Sequence, residues 1–280
     1  VLISRDPSKI GRLPAGAKIV QADLQDMHSL EKAFAGVDVI INAAAEVRDA
    51  SRLEKTNVQG TRNLVNAAIA CGVKKIIHLS SVGVVGAQYG TKRELITEDS
   101  SCSPQNEYER TKLQSEKILL EAAGKELFRL AILRPTNVFG EYHSMNAMLS
   151  PIQHILQRRP MPYTSNAMVN YVYVKDVTGA MIRLISDKEK RGILNVGTAM
   201  PVKEFFSFIE RQASVKGKWI AVPQFLVKFM ELLGIRKLRP LTNANAYDDS
   251  KLKKFYSYPY GAEKGLQRTM NYYKEKGLLK

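Results

Sequence analysis

The chain is 280 residues long, 45% apolar and 25% charged, which suits a globular protein that buries one large core or two coupled ones. No apolar run approaches the roughly 18 residues of a membrane span, and no signal-peptide pattern is present. The net charge of +15 is uneven: residues 1–140 hold 19 Lys+Arg against 16 Asp+Glu, leaving 23 against 11, a net of +12, for residues 141–280.

In chain order, Val1-Leu2-Ile3-Ser4 reads as a strand entered without a preceding turn, and Gly36 to Asn42 as a second, followed by the small run Ala43-Ala44-Ala45. Asn57 to Ala70 has helical periodicity through Leu64, Val65, Ala68 and Ile69, with Gly72 at a left-handed cap. Lys75 to Leu79 forms the next strand and leads into Ser80-Ser81; Tyr108 to Ala123 is a helix; Leu127 to Leu133 is a strand ending at Arg134-Pro135. This alternation predicts an α/β fold with a parallel sheet, helices on both faces and ligands beyond the carboxyl ends of the strands. Asp23, Ala43 to Ala45, Ser81 and Pro135 all fall at or just after such ends.

Tyr108 and Lys112 stand four residues apart, about one helical turn, on one face. An ammonium beside a phenol favours the phenolate, giving a proton donor and acceptor near neutral pH. A nearby serine hydroxyl can hydrogen-bond a carbonyl or alkoxide oxygen while the proton moves. These groups suit the interconversion of an alcohol and a ketone, with hydride passing to a nicotinamide cofactor. Cys71 and Cys102 are too few for a disulfide framework and share no metal-site spacing, while His28, His78, His143 and His154 are scattered. The expectation is a reduced, cytoplasmic enzyme with a small-molecule substrate and no protein-bound metal. The basic second half reads as a solvated surface, with an acidic substrate or an anionic membrane surface as the alternatives. No basic stripe interleaved with aromatics points to nucleic acid.

The chain resembles an extended short-chain dehydrogenase/reductase of the NAD-dependent epimerase/dehydratase superfamily. The resemblance runs through Ala22-Asp23-Leu24, Asn42 to Ala45, Asn57 to Thr61, Ser80-Ser81, Tyr108 with Lys112, and Leu133 to Gly140. It continues through Tyr173-Val174-Lys175-Asp176-Val177 and Asn195-Val196-Gly197. It implies a Rossmann-like doubly wound sheet over 1–135, and a mainly substrate-binding region over 136–280 with segments that return to the sheet. Tyr108 would be the acid/base, Lys112 would lower its pKa and hold the nicotinamide ribose, and Ser81 would be the catalytic serine. Asn57 would order the site, with a buried helix asparagine satisfying backbone groups as the alternative. Asp23 would contact the adenine with Leu24 beside it, and here a plain turn residue is the alternative. Ala43 and Ala44 would admit the cofactor, and Pro135 would sit near the nicotinamide. Ser81 and Asn137 would meet substrate. Glu116 is read as the structural partner of a neighbouring lysine. The branches most similar in flavour are the 3-beta-hydroxysteroid dehydrogenases and dihydroflavonol reductases. Family members form dimers through the helices after Asn57 and Tyr108.

The family opens with a strand, a glycine-rich turn and a helix that cradle the pyrophosphate, yet no Gly-x-x-Gly-x-x-Gly occurs in this chain. Gly83 and Gly86 follow the serines and cannot serve. An amino-terminal truncation is the favoured explanation, and the chain as written is expected to fold poorly or bind cofactor weakly. Val1 to Ser4 and the strand at Val37 would then lack a shared neighbour. Arg5, with Lys9 behind it, favours NADP(H) through the 2′-phosphate, and the adjacent Asp6 keeps NAD(H) as the alternative.

The favoured reading is an NAD(P)-dependent oxidoreductase of a secondary alcohol and a ketone. A nucleotide-sugar epimerase is the alternative, supported by Asn137 and the basic second half. It is opposed by Val169, where many epimerases carry a diphosphate-binding arginine. Val82-Gly83-Val84 lacks the carboxylate of a sugar dehydratase. A non-catalytic cofactor-binding protein is the third reading. Pro223 to Arg239 reads as a core helix ended at Gly234, with an interfacial helix or pocket lid as the alternative. Trp219 and Tyr272-Tyr273 read as packing residues.

Overall fold

The computed structural model describes residues 1–11, 13, 15–86, 95–142, 148–187, 191–232 and 243–279, except the side chains of 228 and 230–232. His143 and Gly234 lie outside the described residues. The chain runs β1 (Leu2–Ser4), β2 (Ile19–Gln21), α1 (Met27–Phe34), β3 (Val39–Asn42), α2 (Ala50–Leu53) and α3 (Gly60–Ala70). It continues with β4 (Lys75–Leu79), β5 (Leu95–Ile96), α4 (Glu107–Gly124), β6 (Arg129–Pro135), β7 (Asn137–Phe139), α5 (Leu149–Leu156), β8 (Pro160–Tyr163) and β9 (Met168–Tyr173). Then come α6 (Val174–Ser186), β10 (Gly192–Val196), β11 (Thr198–Pro201), α7 (Val202–Ala213) and β12 (Lys218–Ala221). The last described elements are α8 (Gln224–Leu232), β13 (Ala246–Tyr247), α9 (Ser250–Lys253) and α10 (Gly261–Glu275). A π-helical stretch, Glu54–Gln59, joins α2 to α3, and 3-10 turns at Pro7–Lys9 and Val82–Val85 follow β1 and β4. Two compact units result: residues 1–86, 102–133 and 184–193, and residues 87–101, 134–183 and 194–280.

In the first unit, β3, β4 and β6 are parallel neighbours in a sheet of order β10-β6-β4-β3. The Lys-Ile-Ile-His-Leu run of β4 is buried on both faces, as a central parallel strand requires. Leu30 and Phe34 of α1, Leu64 and Ala68 of α3 and Leu119 of α4 pack with Ile40, Ile76 and Ile132 of the sheet. Each fully buried isoleucine or leucine contributes about 1.5–3 kcal/mol. Asp26 starts α1 by accepting from the backbone N–H groups of His28 and Ser29. At the end of α3, Val73 N donates to Ala68 O and Gly72 N to Ile69 O, with Gly72 at φ 67°. That pairing is the glycine-terminated cap expected from the sequence. β1 and β2 form a separate parallel pair. Among the described residues neither β1 nor β3 has a strand on its other edge.

The second unit holds a three-stranded sheet of order β11-β9-β7 and two parallel pairs, β12 with β8 and β13 with β5. Its core is aromatic: Tyr171 stacks on Phe205 at 4.8 Å, and Phe139 and Phe206 meet Phe205 edge-on. Trp219 joins this packing and donates from Nε1 to Glu210 Oε1 at 2.7 Å. Asp176 is buried and accepts from the backbone N–H groups of Tyr260 and Gly261 at the start of α10. The resemblance left this motif without a role, and its role here is that of a remote helix cap. The expected core helix from Pro223 needs correction. Phe225, Leu226 and Phe229 of α8 are 74%, 41% and 56% exposed, while Val227 is fully buried. No helix among the described residues is long and apolar enough to cross a membrane.

Candidate active site

The carboxyl end of β4 organises the first unit's polar residues. Ser80 is buried and extends the ladder, its backbone N donating to Leu133 O. Ser81 is half-buried, with extended backbone, and its Oγ accepts from Gly83 N at 3.0 Å, capping the 3-10 turn. A Cβ on Gly83 would lie 3.0 Å from Glu109 Cγ and 3.2 Å from Ser81 Oγ. Glycine therefore lets this turn press against the first turn of α4. There Asn106 Oδ1 accepts from Glu109 N at 3.0 Å, and Glu109 Oε2 accepts from Gln105 N at 2.6 Å. The reciprocal pair fixes where α4 begins and so where Tyr108 stands.

Lys112, one turn on, is buried, and its Nζ donates to Leu79 O at 2.5 Å. Burial pushes its pKa down to about 8, with the Glu116 carboxylate acting in the opposite direction. The phenol of Tyr108 does not behave as expected from the spacing. Burial raises its pKa and the Glu109 carboxylate adds to the rise, so the neutral phenol is the resting form. No hydrogen bond joins Tyr108 to Lys112 among the described residues, and the ammonium donates to the strand end. The shared helical face is present, and the direction of the phenol's shift is set by burial first and by Glu109 second.

Asn57 lies in the π-helical stretch, a geometry that collects at functional sites. Its Oδ1 accepts from Glu46 N at 2.8 Å, while Nδ2 donates to Glu46 O and to Thr111 Oγ1, both at 3.0 Å. Asn57 thus ties the loop after β3 to α4 beside Tyr108, whose carbonyl accepts from Thr111 Oγ1. Ser115 and Thr61 both donate to Asn57 O at 2.6 Å. The Glu46 carboxylate accepts from the backbone N–H groups of Val47, Arg48 and Asp49, which holds its pKa low. Asn42 Nδ2 donates to His78 Nδ1 at 3.1 Å, and burial, then the Lys112 charge, hold that imidazole neutral. Sequence reasoning missed Glu46, Thr111 and the Asn42–His78 pair. The available signals were Thr111 inside the Tyr108–Lys112 segment and Asn42 closing its strand.

The other expected residues are placed as follows. Asp23 Oδ1 accepts from Gln25 N at 3.0 Å, a turn bond at the end of β2. Leu24 packs against Gly60, where a Cβ would stand 2.9 Å from Leu24 Cβ. Arg5 is exposed just beyond β1, and the neighbouring Asp6 is taken up by Ser8 and by Lys9 at 3.3 Å. Ala43 and Ala44 are exposed at the end of β3. In the second unit, Pro135 is buried at the end of β6, and Asn137 Nδ2 donates to Asn170 O at 3.1 Å. That unit also has a concavity of about 530 Å³ bounded by Val138 to Tyr142, Val174, Lys175 and Thr178. Glu141 there is already engaged by the Tyr173 hydroxyl at 2.6 Å and by Arg268 at 3.2 Å.

The first unit's rim fits the ribose and nicotinamide end of a dinucleotide. Lys112 Nζ has three donors and commits one to Leu79 O, and Ala43 to Ala45 leave the backbone accessible to a flat ring. The sequence carries no matching glycine-rich cradle for the pyrophosphate.

A sequence model described as the NAD dependent epimerase/dehydratase family matches residues 1–197. N-acetyl-alpha-D-glucosaminyl-diphospho-ditrans,octacis-undecaprenol 4-epimerase of Escherichia coli O157:H7 is 39% identical over 130 residues, 44% of this chain and 38% of that protein. Cinnamoyl-CoA reductase 1 of Oryza sativa subsp. japonica is 28% identical over 192 residues, 65% of this chain and 56% of that protein. The chain thus matches about four- to six-tenths of the length of these relatives. The crystal structure of UDP-glucuronic acid 4-epimerase from Bacillus cereus in complex with NAD superposes with a TM-score of 0.71 at 19% identity. It covers 94% of this chain and 83% of that one. At that identity the likeness shows a shared Rossmann-like α/β fold.

Proposed function

Since the chain belongs to the NAD dependent epimerase/dehydratase family, we propose that it is an enzyme that epimerises a sugar carried on a diphosphate. The reaction passes through a ketone. The observation that supports this reading is that Ser81 and the Lys112 ammonium meet the carboxyl end of β4, with Tyr108 one turn before Lys112 on α4. NAD, when bound, supplies a hydride acceptor that gives the hydride back. In its phenolate form Tyr108 Oη accepts the proton of the reacting hydroxyl as the ketone forms and returns it when the hydride comes back, and Ser81 Oγ hydrogen-bonds the same oxygen. Lys112 binds the nicotinamide ribose, and Asn57 positions the loop of Ala43 and Ala44 against it. Asp23 and Leu24 take the adenine end, Pro135 borders the nicotinamide and Asn137 meets the substrate. A homodimer through α3 and α4 is carried by analogy.

The sequence alone favoured net oxidation or reduction; the 39% identity to a sugar 4-epimerase moves the weight to epimerisation. A second reading survives in Arg5. It is an exposed cation beyond β1, beside an Asp6 that Ser8 and Lys9 occupy, which suits a 2′-phosphate and an NADP(H)-dependent reductase. The test is incubation with NAD and either UDP-N-acetylglucosamine or its polyprenyl diphosphate analogue, followed by proton NMR of the sugar and absorbance of the nicotinamide. Appearance of the C4 epimer without net reduced cofactor is expected, falling ~10²- to 10⁴-fold in Tyr108→Phe. Net NADPH consumption with a ketone, and no epimer, would support the reductase instead.

A further inference from the structure

α8 carries an apolar stripe turned to solvent. On a helix of 3.6 residues per turn, Phe225, Phe229 and Leu226 fall within about 100° of arc, and Val227 lies about 200° from Phe225. Burial follows that geometry: Val227 is fully buried and anchors the helix, while Phe225 is 74%, Leu226 41% and Phe229 56% exposed. The strand that feeds α8, β12, adds Ile220 at 44%.

Exposed cations stand at the other end of the same pair of strands. Lys218 is in register with Pro160, so Lys218 at the start of β12 and Lys216 just before it share an end with Arg158 and Arg159, which precede β8. All four are exposed. Four residues of β12 span only about 13 Å, so the cations and the entry to α8 lie close together. These cations lie within a half of the chain whose net charge is +12.

We propose that α8 docks this protein on an anionic lipid bilayer, its phenylalanines entering the headgroup and acyl boundary while the cations at the start of β8 and β12 face acidic headgroups. An aromatic stripe beside basic residues is the composition of an interfacial helix. A second copy of the chain is the poorer occupant, because it would bring equal positive charge against the same patch. The inference rests on α8 and its charges and is independent of the chemistry at Tyr108.

The test is flotation of the 280-residue chain with phosphatidylcholine vesicles made with and without phosphatidylglycerol, in the absence of NAD and substrate. Binding to the anionic vesicles only, weakened by added salt, is the expected result. Phe225→Ser and Phe229→Ser should each lower partitioning roughly tenfold, with unchanged circular dichroism because both side chains are exposed. In Phe225→Trp the emission should shift blue on vesicles and be quenched by brominated lipid. Tyr108→Phe should bind as well as the unmodified chain, which separates this result from failure of the proposed reaction. Equal binding to neutral and anionic vesicles, or binding that survives both serine substitutions, would overturn the proposal. So would a dimer in sedimentation that the same substitutions dissolve.

Discussion

Lys112 is the residue whose chemistry is most altered by its surroundings. Buried beside the end of β4, it titrates near 8 in the folded chain against 10.5 for an ordinary lysine. Between those values the unfolded chain still holds a proton that the folded chain has released, so stability rises with pH across the window. The rise should be about 3 kcal/mol. It should be absent from Lys112→Met, measured as the difference between the two urea-unfolding curves from pH 8 to 10.5. A flat difference would show that the ammonium is more solvated than its burial implies. The same depression means that above pH 8 the Lys112 charge is lost, while Tyr108, raised by burial and Glu109, is still protonated. The Tyr-x-x-x-Lys spacing was legible in the sequence. The direction of the phenol's shift was not, because desolvation depends on what α4 packs against.

Among the elements, the segment from β4 to α4 does most to assemble the site. Gly86 closes the 3-10 turn at φ 83°, and a Cβ there would stand 2.0 Å from Ser103 O. Ser103 N in turn donates to Val85 O at 3.2 Å. Gly86→Ala would force a β-carbon against backbone in a conformation that favours glycine. We expect a loss of at least ~2 kcal/mol in chemical denaturation, and weaker activity as Ser81 and Tyr108 separate. An unchanged midpoint would mean that the turn relaxes freely. Asn57 illustrates the limit of reading one element alone. Its helix was visible in the periodicity of Leu64 to Ile69, but not the π-helical turn that lets its amide grip Glu46 and Thr111 together.

For the whole molecule, the two parallel sheets of the first unit each end on an edge without a further strand among the described residues, at β1 and at β3. The rim at the carboxyl end of β4 offers groups for the ribose and nicotinamide, and Arg5 stands exposed beyond β1. Fluorescence titration of the chain and of Arg5→Ala with NADH and NADPH measures the choice of cofactor. A preference for NADPH that the substitution abolishes would give Arg5 its reader's role, and one that survives it would remove that role.

The sequence by itself determined the class of fold, the family and the order of the chemistry-bearing residues. Period-2 and period-3.6 apolar patterns and short motifs are local, and the chain spells them directly. Tertiary structure decided what needs distant groups to meet. Lys112 turned to a strand carbonyl, Asp176 became a cap for α10, and Asp23 made a turn bond. It also turned the phenylalanines of α8 outward. Helical periodicity shows that a helix has an apolar stripe, but burial is set by whatever other segments pack against it, and that is not written in the helix.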